Sequence, residues 1–278
     1  MINLRNYNTY KVNTTASYMY EPKTIKELTN LLEDLKKTST KYFILGGGSN
    51  VILPDTHFDG AIIKLAFDYM EVKDNTVFIA SGATLMVFIK NLIDLGFTNF
   101  ENLYGIPGSV GGAIHGNAGA NCTEIFDFLE SVLVYQDGDV KLINAKNIKH
   151  GYRYAEFSSD VIILGAVFTI VKGSCKEAWE HIKENLEKRK NSQPLEYPQA
   201  GSVFKNPEGA SAGKLIDECG LKGLRVGDAM VSEKHANFII NLGSATSSDI
   251  IKLIEKVKEE VKTQKGIELL LEQKIIKW

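Results

Sequence analysis

Between Tyr104 and Asn121 the chain reads YGIPGSVGGAIHGNAGAN, and six of these eighteen residues are glycine. Glycine costs conformational entropy on folding, so such density belongs where a Cβ could not be accommodated. Two readings remain open on the residues themselves: small residues that let two layers pack closely, or a backbone lying directly against a large flat ligand. A second glycine run, Gly46-Gly47-Gly48-Ser49-Asn50, falls between the short apolar runs YFIL and VIL. Strand, glycine loop, strand is the pattern this predicts.

Neither run fits the common nucleotide motifs. A dinucleotide fingerprint needs GxGxxG between a strand and a helix, whereas GGGSN leads into another strand. A P-loop needs four residues between its glycines and a Ser or Thr after the lysine; between Gly209 and Gly213 there are three, and Leu215 follows Lys214. Successive backbone N–H groups in a glycine loop can still cradle an anion, with Ser49 and Asn50 adding side-chain hydrogen bonds. A tight turn is the alternative.

Around these loops the pattern is mixed. TIKELTNLLEDLKKT carries Ile25, Leu28, Leu31, Leu32 and Leu35 at helical spacing, and TLMVFIKNLIDLG does the same before stopping at Gly96. AIIKL, YMEVK and TVFIA read as short strands. ESVLVYQ and DVKLINA flank Asp137-Gly138-Asp139 as a hairpin, and VIILGAVFTIV is a long buried strand. The glycine-rich stretch itself reads as neither helix nor strand. Beyond a boundary near Gly173 come a charged helix from Lys176 to Lys190, the short helix AGKLIDECG, the strand FIINLG, a long helix capped by Ser247 or Ser248, and the terminal strand IELLLEQKIIKW.

The 32 basic and 34 acidic residues nearly cancel, leaving a formal charge of -2 and no global attraction for nucleic acid or an anionic membrane. Cys122, Cys175 and Cys219 are odd in number and widely spaced, which suggests neither a disulfide framework nor a metal site. With no long apolar segment, the expectation is a cytoplasmic protein without membrane insertion, and a monomer by default.

Candidate chemistry is sparse. The five histidines are scattered, and no nucleophile elbow is present. Ser202, in AGSVFKNP, lies among small residues with Lys205 and Asn206 close behind. A serine donates a proton usefully only where its alkoxide is supported; otherwise it is a turn residue. Arg153, between Tyr152 and Tyr154, is a guanidinium to be stacked on an aromatic face or used as a carboxylate or phosphate clamp. Glu272, the acid of LLLEQKII, would have a raised pKa if buried, and Lys274 could pair with it along one strand face.

Taken together, NTYKV, LGGGSNVIL, GIPGSVGGAIHGNAGA, GYRYAEF, QPLEYPQAGSVFKNP, AGKLIDECGLKGLRVGDAMVSEKHANFIINLGSAT and the terminal LEQKII resemble, in order and over nearly the whole chain, the UDP-N-acetylenolpyruvoylglucosamine reductase (MurB) family. The resemblance implies an α+β fold: a two-lobed FAD-binding module of the vanillyl-alcohol oxidase (PCMH) type over residues 1–172, its lobes split near 68, and a C-terminal α+β substrate domain over 173–278 whose last strand packs back on the first lobe. It also implies reduction of an enolpyruvyl ether of a UDP-sugar to a lactyl ether, with NADPH reducing FAD and the flavin passing hydride to the alkene. An oxidase of the same superfamily and a non-catalytic nucleotide-sugar binder are the competing classes.

By the same resemblance Ser202 is the proton donor, and Arg153 and a protonated Glu272 hold the substrate carboxylate as enolate charge develops. FAD contacts fall to Gly46, Gly47, Gly48, Ser49, Asn50, Gly105, Gly108, Ser109, Gly112, Asn117 and Gly119, and substrate contacts to Lys190, Asn206 and His235. Three positions depart from the family pattern: Asn13-Thr14 where glycines are common, Asn121-Cys122 after the glycine stretch, and Ser192 before Gln193-Pro194, where Lys190 is a stand-in for a basic residue. The length matches the shorter family type, without an added tyrosine loop over the substrate.

Overall fold

The computed structural model describes residues 1–278, and the chain divides into two compact units. A middle unit comprises Met19–Gly47 and Gly60–Glu187; a terminal unit comprises Met1–Tyr18, Gly48–Asp59 and Lys188–Trp278. No helix is long and apolar enough to cross a membrane.

The middle unit is built on a five-stranded antiparallel sheet in the order 139–144, 129–136, 162–169, 76–80, 70–73. The Asp137-Gly138 signal gives the expected hairpin, with Gln136 opposite Asp139. Outside that sheet, Tyr42–Ile44 pairs in parallel with Ala61–Ile63 at the edge of a four-stranded sheet. Helix α1, Ile25–Lys37, starts where Thr24 Oγ1 accepts the Glu27 N–H at 3.0 Å, and it buries Leu28, Leu32 and Leu35 at helical spacing. Helix α2, Leu85–Asp94, buries Leu85, Phe88, Ile89, Leu92 and Ile93. The Phe88 ring meets Phe100 at 5.4 Å and Phe168 at 5.8 Å. Each such side chain contributes about 1.5–3 kcal/mol of burial, so this face fixes α2 on the sheet.

The glycine-rich stretch contains a helix that the sequence reading missed. Helix α3, Val110–His115, has Ser109 as N-cap, its Oγ accepting the Gly112 N–H at 3.2 Å. Two glycines in six residues disfavour a helix intrinsically; here tertiary bonds supply the difference. Val110 and Gly111 N–H reach the Ala83 and Ser81 carbonyls at 2.8 and 2.9 Å, and the approach is so close that a Cβ on Gly111 would fall 2.8 Å from Ser81 Cβ. Helix α4, Cys175–Ser192, follows the sheet and buries Ala178, Ile182 and Asn185.

The terminal unit holds helices α5, Ala212–Glu218, and α6, Ser247–Lys265, with a three-stranded antiparallel sheet, 225–226, 229–231 and 239–241. Helix α6 buries Ile250, Leu253, Ile254, Val257 and Val261, the stripe that period 3.6 demands. Its N-cap is Thr246, not Ser247 or Ser248. Thr246 and Asp249 form a reciprocal capping box, and the two serines lie in the first turn, where Asp55 accepts both of their N–H groups at 2.7 and 2.8 Å. Burial alone would raise the Asp55 carboxyl, but the Ser248 and Ser247 hydrogen bonds outweigh it and hold Asp55 below the ordinary carboxylate value. The C-terminal segment is less regular than a continuous strand: only Lys274–Ile275 pair, in parallel, with Val51–Ile52, and Leu271 bridges to Phe204.

Asn121 and Cys122 now have a structural account. They form the two-residue turn between paired Ala120 and Thr123, both with positive φ (52° and 61°). Asparagine tolerates that conformation, whereas cysteine adopts it at a cost of about 1–2 kcal/mol and glycine at almost none. Cys122→Gly is therefore expected to stabilise the protein by about 1 kcal/mol, seen as a higher urea midpoint; an unchanged or lower midpoint contradicts this account of the turn.

Candidate functional site

In the middle unit the two glycine runs meet. A Cβ on Gly47 would lie 2.5 Å from Gly108 Cα, and one on Gly46 would lie 3.0 Å from Ser109 Oγ. Gly105 and Gly108 take φ values of 92° and 123°, open to glycine alone at low cost. Neither Gly46 nor Gly47 spends its N–H on a carbonyl of the chain. The result is a close backbone-on-backbone contact with two N–H groups not spent on carbonyls of the chain, and it suits the diphosphate of a dinucleotide cofactor. Gly112 has only ordinary contact with Ser109 at 3.4 Å.

Asn117 is held by the chain on several sides. It is fully buried, and its amide donates to Glu124 Oε2 at 2.6 Å and to the Gly151 carbonyl at 2.9 Å. Asn117 thereby ties the glycine stretch to the turn that carries Arg153. That turn is two residues long, between paired Gly151 and Tyr154, and Arg153 sits in it with φ 54°. A bulky residue held there marks a position the surroundings enforce. The guanidinium donates to the Gly119 carbonyl at 2.5 Å, lies 3.7 Å from Glu124 Oε1, and stands 5.0 Å from the Tyr152 ring centre. Gly119 is needed here, because a Cβ would fall 2.7 Å from the Thr123 carbonyl oxygen and 2.9 Å from Arg153 Nη1.

In the terminal unit the remaining candidates gather around the segment Ala200–Asn206. The Glu272 N–H donates to the Val203 carbonyl at 2.9 Å, and the Lys205 N–H to Leu270 at 2.8 Å. Ser202 and Glu272, seventy residues apart in sequence, thus lie across one local bridge. Asn50 joins them: its Nδ2 donates to the Glu272 carbonyl at 3.3 Å, and its carbonyl accepts the Lys274 N–H at 3.0 Å. Gly48 is fixed from the N-terminal side by Thr9, whose N–H donates to its carbonyl at 3.1 Å. A Cβ on Gly48 would sit 2.1 Å from the Tyr7 carbonyl oxygen. The departing Asn13-Thr14 pair is held internally, with Thr14 Oγ1 donating to the Thr56 carbonyl and Asn13 Oδ1 accepting from Arg5. Partial burial, together with the like charge of Lys205, lowers the Lys274 ammonium below the ordinary lysine value.

The three expected substrate contacts occupy different surroundings. Asn206 Oδ1 accepts the Ala212 N–H at 3.0 Å, at the start of α5. His235 is half-buried against Phe238, and its Nδ1 accepts the Asn237 N–H at 3.2 Å. Lys190 has an exposed side chain near the end of α4, its carbonyl receiving Lys234 Nζ at 2.6 Å. Residues the sequence reading left unassigned complete the cluster. Asn237 brackets Phe204 through both its amide atoms, at 3.0 and 2.8 Å, and Gln273 and Tyr10 are buried beside Ala200 and Gly201. All three stood inside quoted motifs, but a buried amide has no sequence signature of its own.

This fold and its glycine surface define an FAD-binding α+β protein: the sequence model described as "FAD binding domain" matches residues 16–146. A second model, described as the C-terminal domain of UDP-N-acetylenolpyruvoylglucosamine reductase, matches residues 193–276. Among curated relatives, the UDP-N-acetylenolpyruvoylglucosamine reductase of Carboxydothermus hydrogenoformans is 41% identical over 98% of this chain and 92% of its own length. That of Geobacter metallireducens is 39% identical over 97% and 91%. The crystal structure of the Thermus caldophilus enzyme superposes with a TM-score of 0.85, at 34% identity, over 99% of this chain and 98% of that one. The chain belongs to the UDP-N-acetylenolpyruvoylglucosamine reductase (MurB) family.

His235 supplies a pH test of this geometry. Burial holds its imidazole below the ordinary histidine value, and the neutral ring is the form whose Nδ1 can accept from Asn237. A base with a lowered folded pKa contributes stability that is present above about pH 6.5 and is lost as pH falls through the folded value. NMR titration should show the His235 midpoint below 6.5 with the proton on Nε2; a midpoint above 6.5 contradicts the assignment.

Proposed function

We propose that this protein reduces the enolpyruvyl ether of UDP-N-acetylglucosamine enolpyruvate to UDP-N-acetylmuramate, an FAD-dependent step of peptidoglycan precursor synthesis in the cytoplasm, with NADPH as reductant and a single chain as the active form. The observation that carries the chemistry is the bridge at Val203–Phe204, which sets the Ser202 segment beside Glu272. Family membership carries the substrate class, and three thiols, none paired, support a reducing compartment.

FAD, when bound, supplies two-electron reduction. We assign its binding to the module over residues 1–172, with Gly46–Asn50 and the Gly105–Gly119 backbone against it, and we assign the UDP-sugar to residues 173–278, with Lys190, Asn206 and His235 among its contacts. Reduction of an enol ether conjugated to a carboxylate places negative charge on the carboxylate-bearing carbon. Arg153 and Glu272 then serve as hydrogen-bond donors to that carboxylate, Glu272 in its protonated form, because fixed donors count most where charge develops. Ser202 delivers the proton that quenches the charge. Its hydroxyl is a weak acid in water, so the work falls to the donors that support the resulting alkoxide.

Stopped-flow kinetics test the assignment. Ser202→Ala should leave flavin reduction by NADPH intact and slow flavin reoxidation by the enolpyruvyl substrate by about 10²–10⁴-fold, the usual worth of a general acid. Reoxidation at the wild-type rate removes Ser202 from the mechanism.

A further inference from the structure

The segment that carries Ser202 has no regular secondary structure on either side of it, and Gly201 turns with φ 75°. Its peptide groups therefore need partners from outside. Asn237 takes the Val203 N–H through its carbonyl and both polar groups of Phe204 through its amide, and three carbonyls of the segment find theirs in one dipeptide. The Gln273 side chain donates through Nε2 to the carbonyls of Ala200 and Gly201, both at 3.1 Å, while the Glu272 and Gln273 N–H groups approach the Val203 carbonyl at 2.9 and 3.4 Å. Ser202 is thus bracketed on its two sides by the residue assigned as catalytic acid and by the residue after it.

Gln273 is 3% exposed, and its third polar contact is Tyr10, fully buried, whose hydroxyl donates to Oε1 at 2.9 Å. Desolvation pushes the Tyr10 phenol far up, against the opposing effect of Gln273, and keeps it a neutral donor. The two carbonyls can only accept, so the NH₂ must face them; the oxygen is then left to the Tyr10 hydroxyl, which donates to it. Tyr10 is held in turn, its own carbonyl accepting Asn241 Nδ2 at 2.8 Å.

We propose that Gln273, anchored at its amide oxygen by Tyr10, is a positioning residue that sets the Ser202 hydroxyl for proton delivery. The proposal rests on the assignment of Ser202 as proton donor. Gln273 need not touch the substrate. It fixes the two peptide groups before Ser202 while its backbone, with that of Glu272, fixes the Val203 carbonyl beyond it, so the spacing of the serine from the acid is set by four hydrogen bonds of 2.9–3.4 Å from a single stretch. Loosening one side lets the hydroxyl swing, and a displacement of about 1 Å in a reacting group can cost about a hundredfold.

The test is a double-mutant cycle on the FAD-loaded protein, read as flavin reoxidation by the enolpyruvyl substrate. Gln273→Met keeps the length of the side chain and removes its three polar contacts. It should retain FAD, undergo normal reduction by NADPH, reoxidise about a hundredfold more slowly, and slow the Ser202→Ala variant no further. A purely structural role would slow both backgrounds by the same factor. That result, or a wild-type rate in Gln273→Met, overturns the proposal. Should Gln273→Met fail to fold, Tyr10→Phe carries the test: about a fivefold loss, the worth of one hydrogen bond, confined to reoxidation and absent from the Ser202→Ala background, supports it, and an equal loss in both backgrounds or none overturns it. Normal reoxidation by Ser202→Ala alone overturns the proton-donor reading, and this outcome is separable because Gln273 is then intact.

Discussion

The segment around Ser202 lies outside any regular strand ladder, yet its peptide groups must still be paired. The structure meets this constraint with side chains. Gln273 takes the carbonyls before Ser202, the Glu272–Gln273 backbone takes the one after, and Asn237 closes both polar groups of Phe204. Each of these amides is itself buried, where an unmatched polar atom would cost about 1–3 kcal/mol. The N-terminal Tyr10 and the glycine-loop Asn50 bond to the Glu272–Lys274 stretch that pairs with this segment, so the three separated pieces of chain in the terminal unit meet here.

The glycine-rich stretch serves packing and exposure together. Gly111 lies on Ser81, Gly119 on Arg153, and Gly47 of the other run on Gly108, so close approach within the protein accounts for several of the glycines. What that approach builds is a backbone surface. The two readings left open by composition are therefore not rivals: the layers pack backbone on backbone, and the same glycines keep that backbone clear of Cβ atoms.

Much of this was legible in sequence, and the misses have physical causes. The apolar stripes of α1, α2 and α6 and the Asp-Gly hairpin follow from periodicity and turn chemistry alone. Helix α3 was not legible because its glycines oppose it, and bonds to Ser81 and Ala83, distant in sequence, hold it. At α6 the run SATSSD offered several caps; the Thr246–Asp249 spacing of a capping box was the signal that decided among them. Ser202, Glu272 and Arg153 were recognisable as types in motifs. Asn117 and Gln273 were not, since their roles depend on which carbonyls the fold brings to their amides.

On this account the glycine runs hold a flavin, the reduced flavin gives hydride to an enolpyruvyl UDP-sugar, and Ser202 supplies the proton. The visible spectrum of the purified protein tests it most directly. Oxidised flavin bands should be present, bleach on anaerobic addition of NADPH, and return when the enolpyruvyl UDP-sugar is added. A colourless protein, or a reduced flavin that the UDP-sugar does not reoxidise, would contradict it.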